Sequence, residues 1–312
     1  MNDEAPLVGI VGPTAAGKTA LAVGVCRALG GEIVGCDASQ IYRGLDIGTG
    51  KATAAELGLV PHHLIDVVPP DAPFDAAAYV AHADAAIRDI RARGRRPVVC
   101  GGTGLYLRAL LHGLCEAPPV DSEVREVLRA RLAAGEVERL HAELRVVDPE
   151  AAARIAPRDP QRIERALGVH LSTGRPLSAW QAEHRGQPPR YRIHLVAPRL
   201  PREVLNRRIE ARVRGLFEAG FVDEVRRLRA QGYGAALRSL AALGYRLVNA
   251  HLDGETSLAE AIDGTIRATR QYAKRQMTWF GAVPGLAWLD APVDGGVLVD
   301  WVRARDAGGG EP

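Results

Sequence analysis

An eight-residue segment near the start of the chain constrains the fold most. It reads Gly-Pro-Thr-Ala-Ala-Gly-Lys-Thr from Gly12 to Thr19, directly after the apolar run Leu7–Val11 and directly before an apolar helical pattern. A strand that leads through a glycine-bounded turn into a helix presents unpaired N–H groups and the positive end of the helix dipole to an anion. The segment predicts a diphosphate-binding loop, and the alternative is a purely structural glycine turn.

Short apolar runs and helical patterns alternate over the first 115 residues. The predicted strands are Leu7–Val11, Glu32–Cys36, His62–Asp66 and Pro97–Cys100. The predicted helices are Lys18–Leu29, Asp75–Arg93 and Gly104–Leu111. This alternation predicts an α/β fold, a P-loop NTPase-like parallel sheet flanked by helices, with ligands at the carboxyl ends of the strands.

The pattern changes at Ala117-Pro118-Pro119, after which only helical spacing is found up to about residue 190. We therefore predict an all-helical insertion domain at 120–190 within a catalytic core formed by 1–119 and 191–312. The core resumes with a strand at Ile193–Val196 and continues with helices up to Phe280. A last strand is predicted at Leu286–Leu289 and a glycine-rich, disordered tail from Asp306 onward.

Composition narrows the class of protein only slightly. The net charge of +3 and the pI near 8.8 permit a nucleic-acid partner without arguing for one. The four cysteines show no C-x-x-C pairing, which argues against a zinc site or a disulfide framework. Since the chain has neither a signal peptide nor a long apolar stretch, we expect a cytoplasmic protein with no membrane partner.

Two polar residues follow predicted strands on the edge that carries the phosphate loop. Asp37, after the second strand, has the chemistry of a general base or a magnesium ligand, and the plainer alternative is an Asx turn. Thr103 follows the fourth strand within Gly101-Gly102-Thr103-Gly104 and offers a hydroxyl to the same cleft or an N-cap to the next helix. A second acid of the NTPase type is matched only loosely, by Asp66, so the loop alone does not identify ATP as the substrate.

Three further features each have two interpretations. The pair His62-His63 fits strand packing better than metal binding, because no third ligand stands at a suitable spacing. Ten arginines and five acids between Arg199 and Arg238 fit a solvated helix face or a phosphate track. Arg267, Arg270 and Lys274 share one helix face near two aromatic residues, which fits RNA backbone contact or, more plainly, a solvated helix face.

Taken together, these segments resemble the tRNA dimethylallyltransferases, enzymes that prenylate an adenine beside the anticodon. The resemblance is carried, in chain order, by segments 12–19, 37–49 (DASQIYRGLDIGT), 61–66 (PHHLID), 101–106 (GGTGLY), 159–167 (DPQRIERAL), 172–178 (STGRPLS) and 270–276 (RQYAKRQ). Their order and combination are more specific than any one of them except the phosphate loop.

The resemblance implies a role for each matched position. The loop would hold the diphosphate of dimethylallyl diphosphate through Gly12, Pro13, Thr14, Ala15, Ala16, Gly17, Lys18 and Thr19. Asp37 would be the general base, Thr103 would orient the adenine amine, and Lys18 would complete the catalytic set, with Mg²⁺ bound by Thr19. The implied tRNA contacts are Asp37, Ala38, Ser39, Gln40, Thr103, Arg125, Gln161, Arg162, Ile163, Glu164 and Arg165. The basic helix face described above adds Arg270 and Lys274 to the predicted tRNA contacts.

Ala16 and Ala38 depart from the family pattern, in which serine is common at both places. Each alanine removes a hydroxyl that would otherwise be available to phosphate or RNA. The expected partners are the anticodon stem-loop of tRNA and dimethylallyl diphosphate, with the protein acting as a monomer. The alternatives are an isopentenyltransferase of free adenine nucleotides, a P-loop small-molecule kinase and a non-catalytic RNA-binding or NTP-switch protein.

Overall fold

A six-stranded parallel sheet forms the centre of the larger part of the chain. The computed structural model describes residues 5–185, 187–234, 242 and 244–308. The strands are β1 (Leu7–Val11), β2 (Gly31–Cys36), β3 (His62–His63), β4 (Arg96–Gly101), β5 (Ile193–Arg199) and β6 (Ala287–Asp290). Their order is β3-β2-β4-β1-β5-β6, and all neighbouring pairs are parallel. The predicted parallel sheet is confirmed, and β1 lies inside it with every residue buried.

Helices cover both faces of the sheet, which explains the continuous apolar character of β1. The helices before the insertion are α1 (Lys18–Leu29), α2 (Ala54–Leu57), α3 (Ala76–Ala92) and α4 (Gly104–His112). Those after β5 are α10 (Arg202–Glu218), α11 (Phe221–Ala230), α12 (Tyr245–Leu252), α13 (Leu258–Gly281) and α14 (Gly295–Asp306). Val8 and Ile10 pack with α1 and α14, whereas Leu7 and Val11 pack with α3 and α4.

The chain divides into two compact units, one formed by 1–111 with 190–312 and the other by 112–189. The second unit contains α5 (Ser122–Ala133), α6 (Val137–Val147), α7 (Pro149–Arg154), α8 (Pro160–Thr173) and α9 (Leu177–His184). Its own apolar core includes Leu140, Leu144 and Ile163, none of which is exposed to solvent. The division falls eight residues before the start that we predicted at 120.

Some element boundaries differ from the predictions for clear reasons. The strand predicted at His62–Asp66 has only two residues, because Leu64 and Asp66 adopt positive φ angles of 63° and 57° that end the extended backbone. Two helices, α2 and α14, were not predicted, and α9 lies within the predicted helical insertion.

Asp306 is the last residue of α14 and binds Arg96 with both carboxylate oxygens, so the prediction of a disordered tail from this residue was wrong at its first position. Residues 309–312 of that tail lie outside the described part of the chain. No helix in the described ranges is long and apolar enough to cross a membrane.

Candidate active site

The loop at 12–19 joins β1 to α1 through three left-handed residues. The φ angles are 127° at Gly12, 62° at Ala15 and 89° at Gly17, the residue before the helix. Gly17 has no side chain with which to cap α1, and the first N–H groups of any helix lack intrahelical acceptors. These N–H groups and the helix dipole favour the binding of an anion at the carboxyl end of β1.

The Lys18 ammonium lies within this loop and donates a hydrogen bond to the carbonyl of Pro13 at 2.7 Å. Burial lowers the pKa of Lys18, while the negative charge of Asp37 acts in the opposite direction. Among the described residues, no carboxylate forms an ion pair with Lys18. Its charge is therefore available to a phosphate group.

Two arginines of α10 extend this positive region. Nη1 of Arg208 lies 3.9 Å from the position that a Cβ would take at Gly17. Arg212 donates from Nη2 to the carbonyl of Gly50 at 3.1 Å and remains accessible to solvent, although the surrounding protein desolvates it enough to lower its pKa. We call the loop 12–19 together with Arg208 and Arg212 the donor cleft.

The sequence had suggested only a solvated helix face or a phosphate track for these two arginines. Their spacing of four residues, beside the buried Leu205 and Ile209, was the signal that could have selected them.

Asp37 follows the end of β2 and Thr103 follows the end of β4, the neighbouring strand in the sheet. Oδ1 of Asp37 accepts the N–H groups of Ser39 at 2.8 Å and Gln40 at 3.3 Å, so the Asx turn is present. No hydrogen bond to Oδ2 is found in the described chain, which leaves this oxygen for a substrate. The Thr103 hydroxyl accepts the N–H of Ala38 at 3.0 Å and therefore links the two loops.

The loop that follows Asp37 is held by a buried carboxylate. Glu224 of α11 is 1% exposed and accepts the N–H groups of Asp46, Ile47 and Gly48 at 2.9, 2.6 and 3.0 Å. The Tyr245 hydroxyl donates to the same carboxylate at 2.7 Å. The sequence counted Glu224 only among the five acids of its arginine-rich stretch, for which a solvated helix face was one of two interpretations. That interpretation does not hold for Glu224, because its buried side chain organises a loop.

The same loop positions one of the implied tRNA residues. Nε2 of Gln40 lies 3.4 Å from the carbonyl of Thr49 and 3.3 Å from that of Gly50. Gly50 also accepts from Arg212, so the loop connects Gln40 with the donor cleft.

Helix α13 passes over the strand ends and contacts two loops, the phosphate loop after β1 and the loop after β4. The side chain of Gln276 accepts the N–H of Thr14 and donates to the carbonyl of Gly102, each at 2.8 Å. A Cβ at Gly104 would lie 2.3 Å from the Trp279 ring, so the absence of a side chain there permits this packing. The sequence had assigned this helix segment to RNA contact, and it did not indicate that Gln276 would reach the two loops.

The basic residues of α13 are not equivalent. Arg267 and Lys274 are exposed, whereas Arg270 donates to Glu210 of α10 at 2.9 Å. Tyr272 contacts Thr103, and burial raises its pKa to about 12. The structure thus leaves Lys274 as the freer of the two cations implied in tRNA contact.

The implied tRNA contacts of the helical unit also differ in their surroundings. Gln161 and Arg162 are exposed near the start of α8, and Glu164 pairs with Arg129 at 3.2 Å. Arg165 donates to the carbonyls of Pro118 and Ala117, both at 3.1 Å.

The Ile163 side chain is 0% exposed, so a tRNA contact of this residue would not involve its side chain. Its role is in the core of this unit. Arg125 donates to the Val120 carbonyl at 3.3 Å, a contact within the same unit.

Candidate metal ligands are few. The described residues contain no group of three or more His, Cys, Asp or Glu side chains that could hold a metal ion. Nε2 of His63 lies 2.7 Å from the Glu32 carboxylate, which also binds Arg93, and Nδ1 of His62 lies 2.9 Å from the Val60 carbonyl. Each histidine of the pair thus contacts a neighbouring group of the protein.

Ala16, one of the two departures from the family pattern, is 4% exposed and packs in an apolar cluster with Ile209 and Val213. Ala38 is partly buried against the sheet core, and its N–H is used by Thr103.

Comparison with known proteins agrees with this geometry. The sequence model of the IPP transferase family matches residues 40–282, and that of the isopentenyl transferase family matches residues 6–67. The chain is 48% identical to the tRNA dimethylallyltransferase of Syntrophobacter fumaroxidans over 96% of its length and 88% of that protein. It is 49% identical to the tRNA dimethylallyltransferase of Anaeromyxobacter dehalogenans over 96% of its length and 99% of that protein.

A solved structure shows the same architecture. The crystal structure of the full-length tRNA isopentenylpyrophosphate transferase from Bacillus halodurans superposes with a TM-score of 0.72 at 38% identity, covering 98% of this chain and 97% of that one. Family match, sequence identity and fold agree over most of the chain, and the protein therefore belongs to the IPP transferase family.

Proposed function

We propose that the protein transfers the dimethylallyl group of dimethylallyl diphosphate to the exocyclic amine of the adenosine next to the anticodon of tRNA. Diphosphate is the leaving group, and the enzyme acts as a monomer in the cytoplasm. The observation that carries the proposal is the convergence of the donor cleft, Asp37 and Thr103 at one edge of the sheet. A tRNA substrate is in line with the names of the relatives, which are tRNA dimethylallyltransferases.

The donor cleft suits a leaving diphosphate. Cleavage of the C–O bond between the dimethylallyl carbon and the diphosphate builds negative charge on the phosphate oxygens. Lys18, Arg208, Arg212 and the N–H groups at the start of α1 offer positive charge to those oxygens before the reaction begins. Such preorganised charge stabilises a transition state more than water does, because it need not reorient.

Asp37 suits the other half of the reaction. The exocyclic amine of adenine is a poor nucleophile, since its lone pair is delocalised into the ring, and it must lose a proton as the C–N bond forms. Because Oδ1 is engaged by Ser39 and Gln40, Oδ2 is the oxygen that accepts this proton. Thr103, anchored to the N–H of Ala38, places its hydroxyl where it can orient the amine.

Magnesium fits this arrangement as a partner of the donor. Thr19 stands in the first turn of α1 with its side chain half-buried, and Mg²⁺ bound to a diphosphate keeps most of its ligands from phosphate and water. The protein then contributes one hydroxyl group and no cluster of carboxylates to the ion. This is consistent with a metal that is bound mainly by the diphosphate. When bound, the ion supplies further positive charge to the leaving group.

The RNA must present its adenine outside the base stack. Extruding a base costs a few kcal/mol, which contacts to the rest of the anticodon loop and stem offset. We assign these contacts to the exposed Gln161 and Arg162 of the helical unit, with Lys274 and the 37–40 turn in the core.

One assay separates the proposal from its alternatives. The protein is incubated with Mg²⁺, labelled dimethylallyl diphosphate and, in parallel, unmodified tRNA, an isolated anticodon stem-loop or AMP. We expect label in both RNAs and none in AMP. Labelling of AMP alone would indicate an isopentenyltransferase of free nucleotides. ATP turnover without labelling would indicate a kinase, and RNA binding without labelling or ATP turnover would indicate the non-catalytic alternative.

A further inference from the structure

One side chain connects the loop that would bind the donor with the loop that would orient the acceptor. Gln276 is 6% exposed, and its carboxamide uses both halves of its hydrogen-bonding capacity at this point. Oε1 accepts the N–H of Thr14, 262 residues away in sequence, and Nε2 donates to the carbonyl of Gly102, 174 residues away.

The close approach of Gln276 is built into the loop after β4. A Cβ at Gly102 would lie 2.2 Å from Nε2 of Gln276, so any side chain at position 102 would displace the amide. The N–H groups of Gly102 and Thr103 donate to the carbonyl of Cys36, at 3.2 and 3.1 Å. The amide is therefore bonded directly to the loops that follow β1 and β4. Gly102 is in turn bonded to Cys36 at the end of β2, beside Asp37.

Helix α13 holds Gln276 in a fixed place. Ala273 and Phe280 on the same helix are 2% and 1% exposed and pack in two apolar clusters. One turn before Gln276, Tyr272 contacts Thr103, and about one turn after it Trp279 packs on Gly104. Three side chains of one rigid helix face therefore contact the acceptor loop, and Gln276 alone of the three also binds the phosphate loop among the described residues.

We propose that Gln276 is a positioning residue that sets the distance between the phosphate loop and the loop carrying Thr103. The hydrogen bond from Thr14 to Gln276 also determines which backbone groups can bind the donor. The N–H of Thr14 is directed to Oε1, so the N–H groups that follow Thr14 are the ones left for the diphosphate. The inference rests on the proposed function and deepens it. A reaction between two bound substrates is sensitive to this distance, since a displacement of about 1 Å can cost ~10²-fold in rate.

Two substitutions test the hydrogen bonds made by the Gln276 amide. Gln276→Met keeps length and volume but removes both hydrogen bonds. Gln276→Glu keeps an acceptor for Thr14 but loses the donor to Gly102 and places a negative charge beside the diphosphate. Gln271→Met is the matched control, because Gln271 is exposed on the same helix.

Steady-state kinetics with dimethylallyl diphosphate and tRNA provide the main test, together with tRNA binding and thermal unfolding of each variant. For Gln276→Met we expect kcat to fall ~10- to 100-fold, with tRNA affinity unchanged within about twofold. For Gln276→Glu we expect a similar loss in kcat and a raised KM for dimethylallyl diphosphate. Gln271→Met should behave as the wild type.

The outcomes are distinguishable from failure of the proposed function. If the wild type does not label tRNA, the proposed function fails, and the inference fails with it. If the wild type is active and Gln276→Met keeps its kcat while melting at a lower temperature, the residue is merely structural and the inference is overturned. Failure of both Gln276 variants to fold would overturn it as well, since the bridge would then serve folding.

Discussion

The donor cleft and the helical unit use their positive charges in opposite ways. In the cleft, Lys18 and Arg212 donate to backbone carbonyls, and no ion pair with either is found among the described residues. In the unit formed by 112–189, many arginines are already paired. Arg131 contacts Glu143 at 2.6 Å and Arg158 contacts Glu138 at 2.7 Å.

This difference separates an anion site from a solvated helix surface. A cation that is partly desolvated and lacks a carboxylate partner gains most from a ligand's negative charge. An exposed arginine paired with glutamate gains less, because a phosphate must compete with an existing partner and with water. On electrostatic grounds the donor cleft is therefore the more favourable anion site of the two regions, and contacts from the paired arginines of the helical unit would be individually weaker.

The largest expected effect tests the chemistry beside the cleft. Asp37→Asn keeps the shape of the turn and removes the proton acceptor, so turnover should fall by ~10²- to 10⁴-fold. Binding of tRNA should change much less, as measured by filter binding with the same RNA. If turnover persisted and only the Mg²⁺ dependence changed, Asp37 would be a metal-site residue.

A second substitution removes an unpaired charge from the cleft. Lys18→Ala should lower turnover by ~10²-fold or more, because the ammonium is placed where leaving-group charge develops. Arg158→Ala is the control from the helical unit, since it removes an exposed, paired cation, and it should leave dimethylallyl diphosphate binding unchanged. Equal losses of donor affinity in the two variants would remove the distinction between the regions.

A smaller effect is expected for RNA affinity. Lys274→Gln should weaken tRNA binding and reduce the slope of log K against log salt by ~0.7 to 0.9 for each lost phosphate contact. Arg162→Gln and Arg270→Gln should reduce the slope less, because these arginines are already paired with Asp159 and Glu210. Affinity measured between low and moderate salt checks both statements. An unchanged slope in all three variants would leave these residues as a solvated helix face.

The smallest expected effect concerns pH. Burial lowers the pKa of Lys18 from its ordinary value of 10.5, and only the protonated ammonium attracts diphosphate. Affinity for dimethylallyl diphosphate should therefore decrease as the pH rises through a value below 10.5. Calorimetric titrations at a series of alkaline pH values measure this decrease. In Lys18→Met the weaker remaining affinity should not show this step, and an identical step there would assign it to another group.

Local chemistry allowed the sequence to predict much of the core. A glycine-bounded turn between an apolar strand and a helix has few conformations open to it, and α1 begins and ends where the pattern indicated, at Lys18 and Leu29. The alternation of strands and helices likewise predicted the parallel sheet, because each parallel connection needs a crossover. Asp37 and Thr103 could be predicted to lie at the same edge of the sheet, because all strands of a parallel sheet have their carboxyl ends at one edge.

Only the tertiary structure decided how the remaining polar residues are used. Glu224 was counted among the charges of a possible solvated helix face and Arg270 was predicted to contact RNA, yet Glu224 is buried beneath a loop and Arg270 is paired with Glu210. Ile163 was included in a tRNA-contacting segment and is buried, because one face of α8 must cover the core of its unit.

Gln276 and Thr14 show the limit of sequence reasoning most directly. Each stands in a recognisable motif, but the hydrogen bond between them joins positions 262 residues apart. Local patterns report the conformation and polarity of neighbouring residues, and they carry no information on which distant backbone group a side chain will meet. That is determined when α13 packs across the ends of β1 and β4 and brings the two loops within reach of one amide.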